Sequence, residues 1–340
     1  MDKAIPKVSV IILNHNDAQY LGANISSLRS QTYRNFKVIV ADNHSQDNSV
    51  ELVKSLYPEV EVLTFGKNYG FAEGYNRAIE AVNSEYVVLL NCDMEADNNF
   101  LSELVEAAKK EEGIAVCASK IIFYGSRNII NHAGGQITML GSGYDIGFGE
   151  KDSLEFNAFK YVSYACGGAM LIKRRIFQEL GGFDNNYFIY SEDADLCWRA
   201  WLYGYKVLYI PSSVVFHKYR GGMSPYSYNA FKIYLGQKNR LTNVIKNFEV
   251  KNVIISLIIN FSVSLFKIIS LLLSGLFFRQ IYWLIKGYIK FLAILPDSIK
   301  KRSIVQKNRK IKDDVLFRMG IIENISGSIR EYRRLNRLGC

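Results

Sequence analysis

Short runs of apolar, mostly β-branched residues recur early in the chain, over 8–13, 36–41, 60–65, 86–90 and 114–118. Between them lie stretches with apolar positions at helical spacing, near 18–30, 46–56, 72–82 and 98–111. Strand-length runs alternating with helix-length stretches predict an α/β chain, a mostly parallel sheet flanked by helices. Right-handed crossovers gather the C-terminal ends of such strands along one edge, and ligands bind outside that edge.

The residues that follow the runs are polar. The first run ends in Asn14-His15-Asn16-Asp17, the second in Asp42-Asn43-His44-Ser45 and the fourth in Asn91-Cys92-Asp93. Asp and Asn also cap ordinary loops, but three such loops converging on one edge point to a ligand site. Residues 125–150 carry Gly134, Gly135, Gly141, Gly143, Gly147 and Gly149, and read as a long mobile loop over that edge. Strand-like runs follow at 161–164 and 169–173. Gly182-Phe183-Asp184 then leads to a helix capped by Ser191 or Asp193 and running to Tyr203. Two further strands, 207–210 and 214–216, end at His217.

Composition narrows the class. With 340 residues, 49% of them apolar and 22% charged, the chain is neither disordered nor a linker. Five cysteines without a CxxC pair argue against a disulfide framework or zinc ribbon and for a reducing compartment. The net charge of +10 is uneven: residues 1–240 hold 24 basic and 26 acidic side chains, whereas 241–340 hold 18 and 6. A uniformly basic nucleic-acid binder would not divide this way. Two units are expected, 1–245 and a basic, apolar helical tail, 246–340. Asp2 and the short first apolar run do not make a secretion signal, so the chain is expected on the cytoplasmic side of any membrane it meets. There is no GxGxxG, no GK[ST] and no fixed-period repeat, which disfavours a dehydrogenase or a phosphate-loop NTPase.

The acidic edge could hold a divalent cation and a nucleotide diphosphate. Oxygen ligands favour Mg²⁺ or Mn²⁺, and an imidazole nitrogen tilts the choice to Mn²⁺. Asp93 and His217, each just past a strand, are the ligand candidates. Asp42 could accept the imide N–H of a uracil or thymine ring, or cap the next helix in competition with Ser45 and Asp47. Among Glu192, Asp193 and Asp195 one could act as general base. The same charges at a helix N-terminus would alternatively stabilise it by about 0.3–1 kcal/mol.

In order, the chain carries Val8-Ser9-Val10-Ile11-Ile12 with Asn14, Asp42-Asn43-x-Ser45-x-Asp47, Asn68-x-Gly70-Phe71-Ala72 and Leu89-Leu90-Asn91-Cys92-Asp93. Then come Gly168-Ala169-Met170-Leu171-Ile172-x-Arg174, Gly182-Phe183-Asp184 and Glu192-Asp193-x-Asp195-Leu196-Cys197-x-Arg199. This series, over about residues 6–240, resembles the family 2 glycosyltransferases, in particular their rhamnosyltransferase-like branch. The resemblance implies a GT-A fold and inverting transfer from a nucleotide-diphospho-sugar with a divalent metal. It puts Asn14, Asp42, Asn68, Asn91 and Asp93 at the donor, Asp42 on the pyrimidine, Asp93 and His217 on the metal, and Asp193 as catalytic base with Glu192 beside it. Asn91 stands where the family's metal motif has its first acidic residue, so ligation rests on Asp93. Gln237-x-x-Arg240 matches part of a motif of processive relatives, but Leu241 replaces its Trp; single-sugar addition is expected, with Gln237 and Arg240 in a helix leading to the tail. The donor sugar is expected to be rhamnose, carried by thymidine or uridine diphosphate.

From 252 to 278 only Lys267 is charged, and 27 helical residues at ~1.5 Å each would cross a bilayer. Ser256, Asn260, Ser264, Lys267 and Ser274 fall on one helical stripe. Such a stripe suits a helix lying in the membrane interface, packed on its own domain, or in a spanning pair. The next apolar stretch, 281–295, carries Trp283, Tyr288, Lys286 and Lys290, which belong at headgroup level. It is followed by Lys300, Lys301, Arg302, Lys307, Arg309, Lys310 and Lys312. Monotopic association with the cytoplasmic leaflet is expected, with a spanning hairpin or an oligomer interface as alternatives. A membrane-bound enzyme implies a lipid-anchored acceptor, a glycan on a polyprenyl carrier in cell-surface polysaccharide assembly, and no nucleic acid. Two other readings are a non-catalytic nucleotide-sugar-binding scaffold and a carboxylate-pair hydrolase.

Overall fold

The computed structural model describes residues 6–219, 230–273 and 278–327. Its centre is a parallel block of β1 (Val8–Asn14), β2 (Phe36–Asp42), β3 (Glu61–Thr64) and β4 (Tyr86–Leu90) in the order β4-β1-β2-β3. α1 (Ala18–Arg29), α2 (Ser49–Leu56) and α3 (Gly70–Glu80) link these strands in turn. Val8, Val10, Ile11 and Ile12 are fully buried. With helices on both faces, β1 carries the run Val10-Ile11-Ile12-Leu13 without alternation.

Beyond β4 the sheet is mixed. β5 (Met94–Ala96) and α4 (Phe100–Lys109) lead into β6 (Ile114–Phe123), which runs past the predicted 114–118. β7 (Ile130–His132), β8 (Gly135–Thr138) and β9 (Gly143–Asp145) follow. β10 (Lys160–Tyr161) precedes β11 (Ala169–Lys173), which enters antiparallel between β4 and β6. After α5 (Arg174–Glu179) and α6 (Glu192–Leu202), β12 (Lys206–His217) lies parallel to β6. The two strands predicted at its ends are one strand: Ile210 pairs with Ser119 and Val214 with Lys120, so residues 211–213 bulge out.

Three local expectations are corrected. The glycine-rich segment is built rather than looped: β7 pairs with β6, and the β8–β9 hairpin pairs with a strand from the tail. Its glycines permit turns and close approach; a Cβ on Gly135 would lie 2.1 Å from the Tyr164 ring. α6 is capped by neither Ser191 nor Asp193 through a side chain; Ser191 sits left-handed, at φ 67°. Asp42 does not cap α2 either. It accepts from the Ser45 N–H at 3.1 Å, while Asp47 accepts from the Ser49 N–H.

The tail begins within α7 (Ala230–Asn247), which holds Gln237 and Arg240, and continues through α8 (Val250–Leu273), α9 (Phe278–Asn308) and α10 (Asp313–Arg318) to β13 (Ile322–Glu323). Val305, Leu316, Ile321 and Ile322 join the core of the catalytic sheet, and β13 pairs with β8. Ser256, Asn260 and Ser264 of the polar stripe of α8 face inward, whereas its Lys267 is exposed: Asn260 donates to the Leu140 carbonyl at 3.2 Å and Ser264 meets the Tyr288 hydroxyl at 2.8 Å, and Asn252 on the same side donates to Asp313 at 2.8 Å. Ser274 lies outside the described residues. Ile254, Ile258, Phe261, Phe266 and Leu273 are exposed on α8. Among the described residues α8 alone is long and apolar enough to cross a membrane, by length and composition.

At the junction, the Lys246 ammonium lies 2.6 Å from Asp184 and 2.9 Å from Asp195, all buried. Asp195 also pairs with Arg199 at 2.8 Å, and Lys301 with Asp184 at 2.6 Å. Burial alone would raise both carboxyls; the cations outweigh it and hold them below the ordinary Asp value. Lowered carboxyls add stability above about pH 4 and lose it as pH falls through their folded values. Lys246→Met, which leaves two buried carboxylates short of a partner, should cost about 3–5 kcal/mol, read as a lower urea midpoint, and should blunt the acid limb of the stability profile.

Candidate active site

Register brings the first polar groups together, for Asn14 pairs with Asp42 across β1 and β2. The Asn14 amide donates to Asp42 and to the Ser45 hydroxyl, both at 2.9 Å. Asn43 extends the group. Its amide donates to Asn68 at 3.1 Å and to the Gly70 carbonyl at 3.0 Å, and its oxygen accepts from the Tyr69 N–H at 2.9 Å. Asn68 in turn accepts from the Gly70 N–H at 2.8 Å. Three predicted donor residues, Asn14, Asp42 and Asn68, therefore line one stretch of the edge at the start of α3.

The next stretch follows β4. The Asn91 N–H donates to the Gly168 carbonyl at 2.9 Å, and Cys92 reaches back to the Leu13 carbonyl. β12 pairs antiparallel with β5, His217 opposite Met94, which sets the imidazole against Asp93. His217 Nε2 lies 3.2 Å from Asp93 Oδ2, and Nδ1 lies 3.0 Å from Asn131 Oδ1. When Nδ1–H donates to the amide oxygen, Nε2 turns its lone pair on a carboxylate. A cation between them removes that repulsion. A carboxylate oxygen and an imidazole nitrogen with positions left for diphosphate oxygens suit Mn²⁺ or Mg²⁺, so the residues fit the expected metal. Among the described residues no cluster of three or more His, Cys, Asp or Glu groups is placed to hold a metal.

Gly167 and Gly168 connect this stretch to the acidic helix. A Cβ on Gly168 would lie 2.9 Å from the Asn91 amide, and one on Gly167 would lie 2.8 Å from the Phe71 ring and 3.5 Å from Asp193 Cβ. Asp193 accepts from the N–H groups of Gly167 at 2.9 Å and Ala194 at 2.8 Å. Burial raises its carboxyl and these two N–H groups oppose the rise. Glu192 is pushed well up by burial and then by the Asp193 charge, and its Oε2 is buried without a partner. Both carboxyls are thus pushed toward the protonated form, and the two backbone donors favour the charged form of Asp193 over that of Glu192. Asp195, the third acid in the run, is taken up by Arg199 and Lys246.

Behind Asp193 lies a group that the pattern of the chain hid. His132 Nε2 accepts from the Cys166 N–H at 3.2 Å, so Nδ1 carries the proton and donates to Asp145 at 2.8 Å; the Tyr164 hydroxyl donates to Asp145 at 3.1 Å. His132, Asp145 and Asn131 all belong to the segment read as a loop. The available signal was the presence of one of only four histidines beside the acidic Asp145 in a polar, glycine-rich run. The loop before α6 is also distinctive, with Phe188, Tyr190 and Ser191 left-handed at φ 64°, 72° and 67°. Asn239 of α7 holds it by donating to the Ile189 and Tyr190 carbonyls at 3.0 and 2.6 Å.

An edge of carboxylates and amides with the acidic first turn of α6 beside it, on this mixed sheet, is the arrangement of a glycosyltransferase of the GT-A fold. The chain belongs to glycosyl transferase family 2, whose model matches residues 9–181; the model for the N-terminal domain of galactosyltransferase matches 153–232. It is 26% identical over 231 residues to an N-acetylglucosaminyl-diphospho-decaprenol L-rhamnosyltransferase of Mycobacterium tuberculosis, covering 61% of this chain and 75% of that one. It is 24% identical over 267 residues to the rhamnosyltransferase WbbL of Escherichia coli, covering 71% and 97%. Two solved structures share the fold. The mannosyltransferase PcManGT of Pyrobaculum calidifontis, in complex with GDP-Man and Mn²⁺, superposes with a TM-score of 0.53 at 15% identity over 87% of this chain and 88% of that one. GalNAc-T7 with UDP, GalNAc and Mn²⁺ gives 0.60 at 20% identity over 74% of this chain and 49% of that one.

The Glu192 proton gives a test of this electrostatic account. A raised carboxyl adds stability that is full below its unfolded value of about 4.3 and is lost as pH rises through the folded value. The Tm of Glu192→Gln relative to wild type should therefore climb as pH rises above about 4. A constant difference would show that Glu192 is ionised in the folded chain.

Proposed function

We propose that this chain transfers a single sugar, rhamnose by its relatives, from a nucleotide-diphospho-sugar to a hydroxyl of a polyprenyl-diphosphate-linked glycan, with inversion, at the cytoplasmic face of the membrane. The reading rests on one observation above all: a half-buried Asp193 carboxylate held by two backbone N–H groups and joined through Gly167-Gly168 to the Asn91–Asp93 edge.

In this reading Asp42, oriented by Asn14 and Ser45, accepts the imide N–H of the donor's pyrimidine, and Asn68 and Asn91 shape the cleft around the donor. Asp93 and His217 hold the divalent ion, which when bound neutralises charge on the diphosphate. Asp193 takes the acceptor O–H proton as that oxygen bonds to the anomeric carbon. The bond from that carbon to the diphosphate breaks in the same displacement, and the nucleoside diphosphate leaves with the electron pair. Glu192, protonated, keeps a second negative charge away from the base. The acceptor class follows the printed name of the mycobacterial relative, and membrane association follows the exposed apolar face of α8 and the basic tail.

Asp193→Asn should lower kcat by about 10²–10⁴-fold and leave the Kd for the nucleoside diphosphate within about twofold; turnover at the wild-type rate would remove Asp193 from the mechanism. Asp93→Ala and His217→Ala should each weaken Mn²⁺ binding in the presence of nucleoside diphosphate by about 10–100-fold, measured by calorimetry.

A further inference from the structure

Between Val250 and Pro296 the chain has five basic side chains and no acidic one. Within this stretch α9 presents Trp283, Lys286 and Lys290 three and seven residues apart, along one face. The Lys286 ammonium sits 4.5 Å from the Trp283 centroid, 5.7 Å from Tyr282 and 5.8 Å from Tyr234. Among the described residues no carboxylate forms an ion pair with Lys286 or Lys290.

The rings do not stop there. Centroids step from Trp283 to Tyr234 of α7 at 6.2 Å, to Phe231 at 6.5 Å, and to Phe188 at 6.4 Å. Phe188 belongs to the left-handed loop before Asp193, and its carbonyl accepts from the Phe71 N–H at the start of α3 at 2.7 Å. At the other end, Tyr282, 56% exposed, opens onto Ile285, Ile289 and Leu292, the outward apolar face of α9. A continuous aromatic track thus runs from the apolar surface to Phe188, whose partner Phe71 lies with Asp193 against Gly167, and two cations without a carboxylate partner stand at its outer end.

Resting on the acceptor reading above, we propose that this track seats the acceptor's polyprenyl diphosphate. Lys286 and Lys290 take the diphosphate. Tyr282 and the outward face of α9 take the first isoprene units, and the glycan lies along Tyr234, Phe231 and Phe188, whose ring faces suit the apolar faces of sugars. A diphosphate needs cations without carboxylate partners, an isoprenoid needs an apolar surface continuous with the membrane, and the reacting hydroxyl must end at Asp193; the track meets all three demands in that order. Burial pushes the Lys238 ammonium down to about 8; Asp184 opposes this and Lys290 adds to it, so an anion at this end relieves repulsion already present.

The molecule carries its own reporter. Of its three tryptophans, Trp198 and Trp201 are in the core and Trp283 is at the track. The full chain is titrated with phosphatidylcholine vesicles containing undecaprenyl diphosphate, and with vesicles matched in charge by phosphatidylglycerol, while tryptophan emission is followed. Half-saturation with undecaprenyl diphosphate should come at about tenfold less anionic lipid. Lys286→Gln/Lys290→Gln, whose melting curve serves as the folding control, should lose that preference and raise KM for a polyprenyl-diphosphate-linked glycan by about tenfold with the donor KM unmoved. Equal response to both anionic vesicles, or a preference that survives the double substitution, overturns the proposal. If the wild type prefers undecaprenyl diphosphate yet transfers to no lipid-linked glycan, the acceptor reading falls while the binding site stands. If it transfers with no such preference, the site falls while the acceptor reading stands.

Discussion

A lysine ammonium sealed between two carboxylates is the joint on which the molecule turns. Lys246 comes from α7, Asp195 from α6, and Asp184 from the segment before it. Taking these charges out of water is expensive, and the arrangement is tolerable because each is matched and Arg199 completes the set. The result is geometric. The helix that carries Asp193 on its first turn cannot move without α7, and α7 is the first helix of the tail. Lys301 of α9 closes the same network on Asp184. Asp193 and the apolar helices are therefore parts of one body, and the tail is built into the scaffold of the site.

On the other side of the cleft, precision comes from backbone and small side chains. Two glycines in sequence let Asn91 and Asp193 approach from opposite sides of one strap. Asn14, Asp42, Asn43 and Asn68 form a chain of amide and carboxylate contacts that leaves little rotamer freedom. Such preorganisation suits a reaction in which charge moves from the acceptor oxygen to the leaving diphosphate and no solvent is available to follow it. His132 and Asp145 fit the same logic, an imidazole and its carboxylate partner fixed by the Cys166 N–H next to the glycine strap.

The parallel block was legible because its central strands are buried on both faces; uninterrupted apolar runs such as Tyr86–Leu90 mark a doubly covered strand with little ambiguity. The edge was legible too, since in-register strands carry Asn14 and Asp42 to the same level. What remained hidden had a common cause. Antiparallel insertion of β11, the bulge in β12 and the pairing of β8 with β13 depend on partners distant in the chain, and local pattern is silent about them. Glycines needed for close packing against Tyr164 looked like those of a loop, and so His132 and Asp145 went unnoticed. The polar stripe of α8 was visible, but the pattern left open which way it turns.

That direction inverts the usual map of tolerance. On most surface helices the apolar positions are the sensitive ones and the polar positions drift freely. On α8 the keystones are Asn252 and Asn260, fitted to Asp313 and the Leu140 carbonyl, with the buried Ser256 and Ser264 beside them, and the isoleucines facing away need only stay greasy. Exchanging Ser256 for leucine would make the helix look better suited to a lipid environment by every hydropathy measure, while dismantling the seam that orients it.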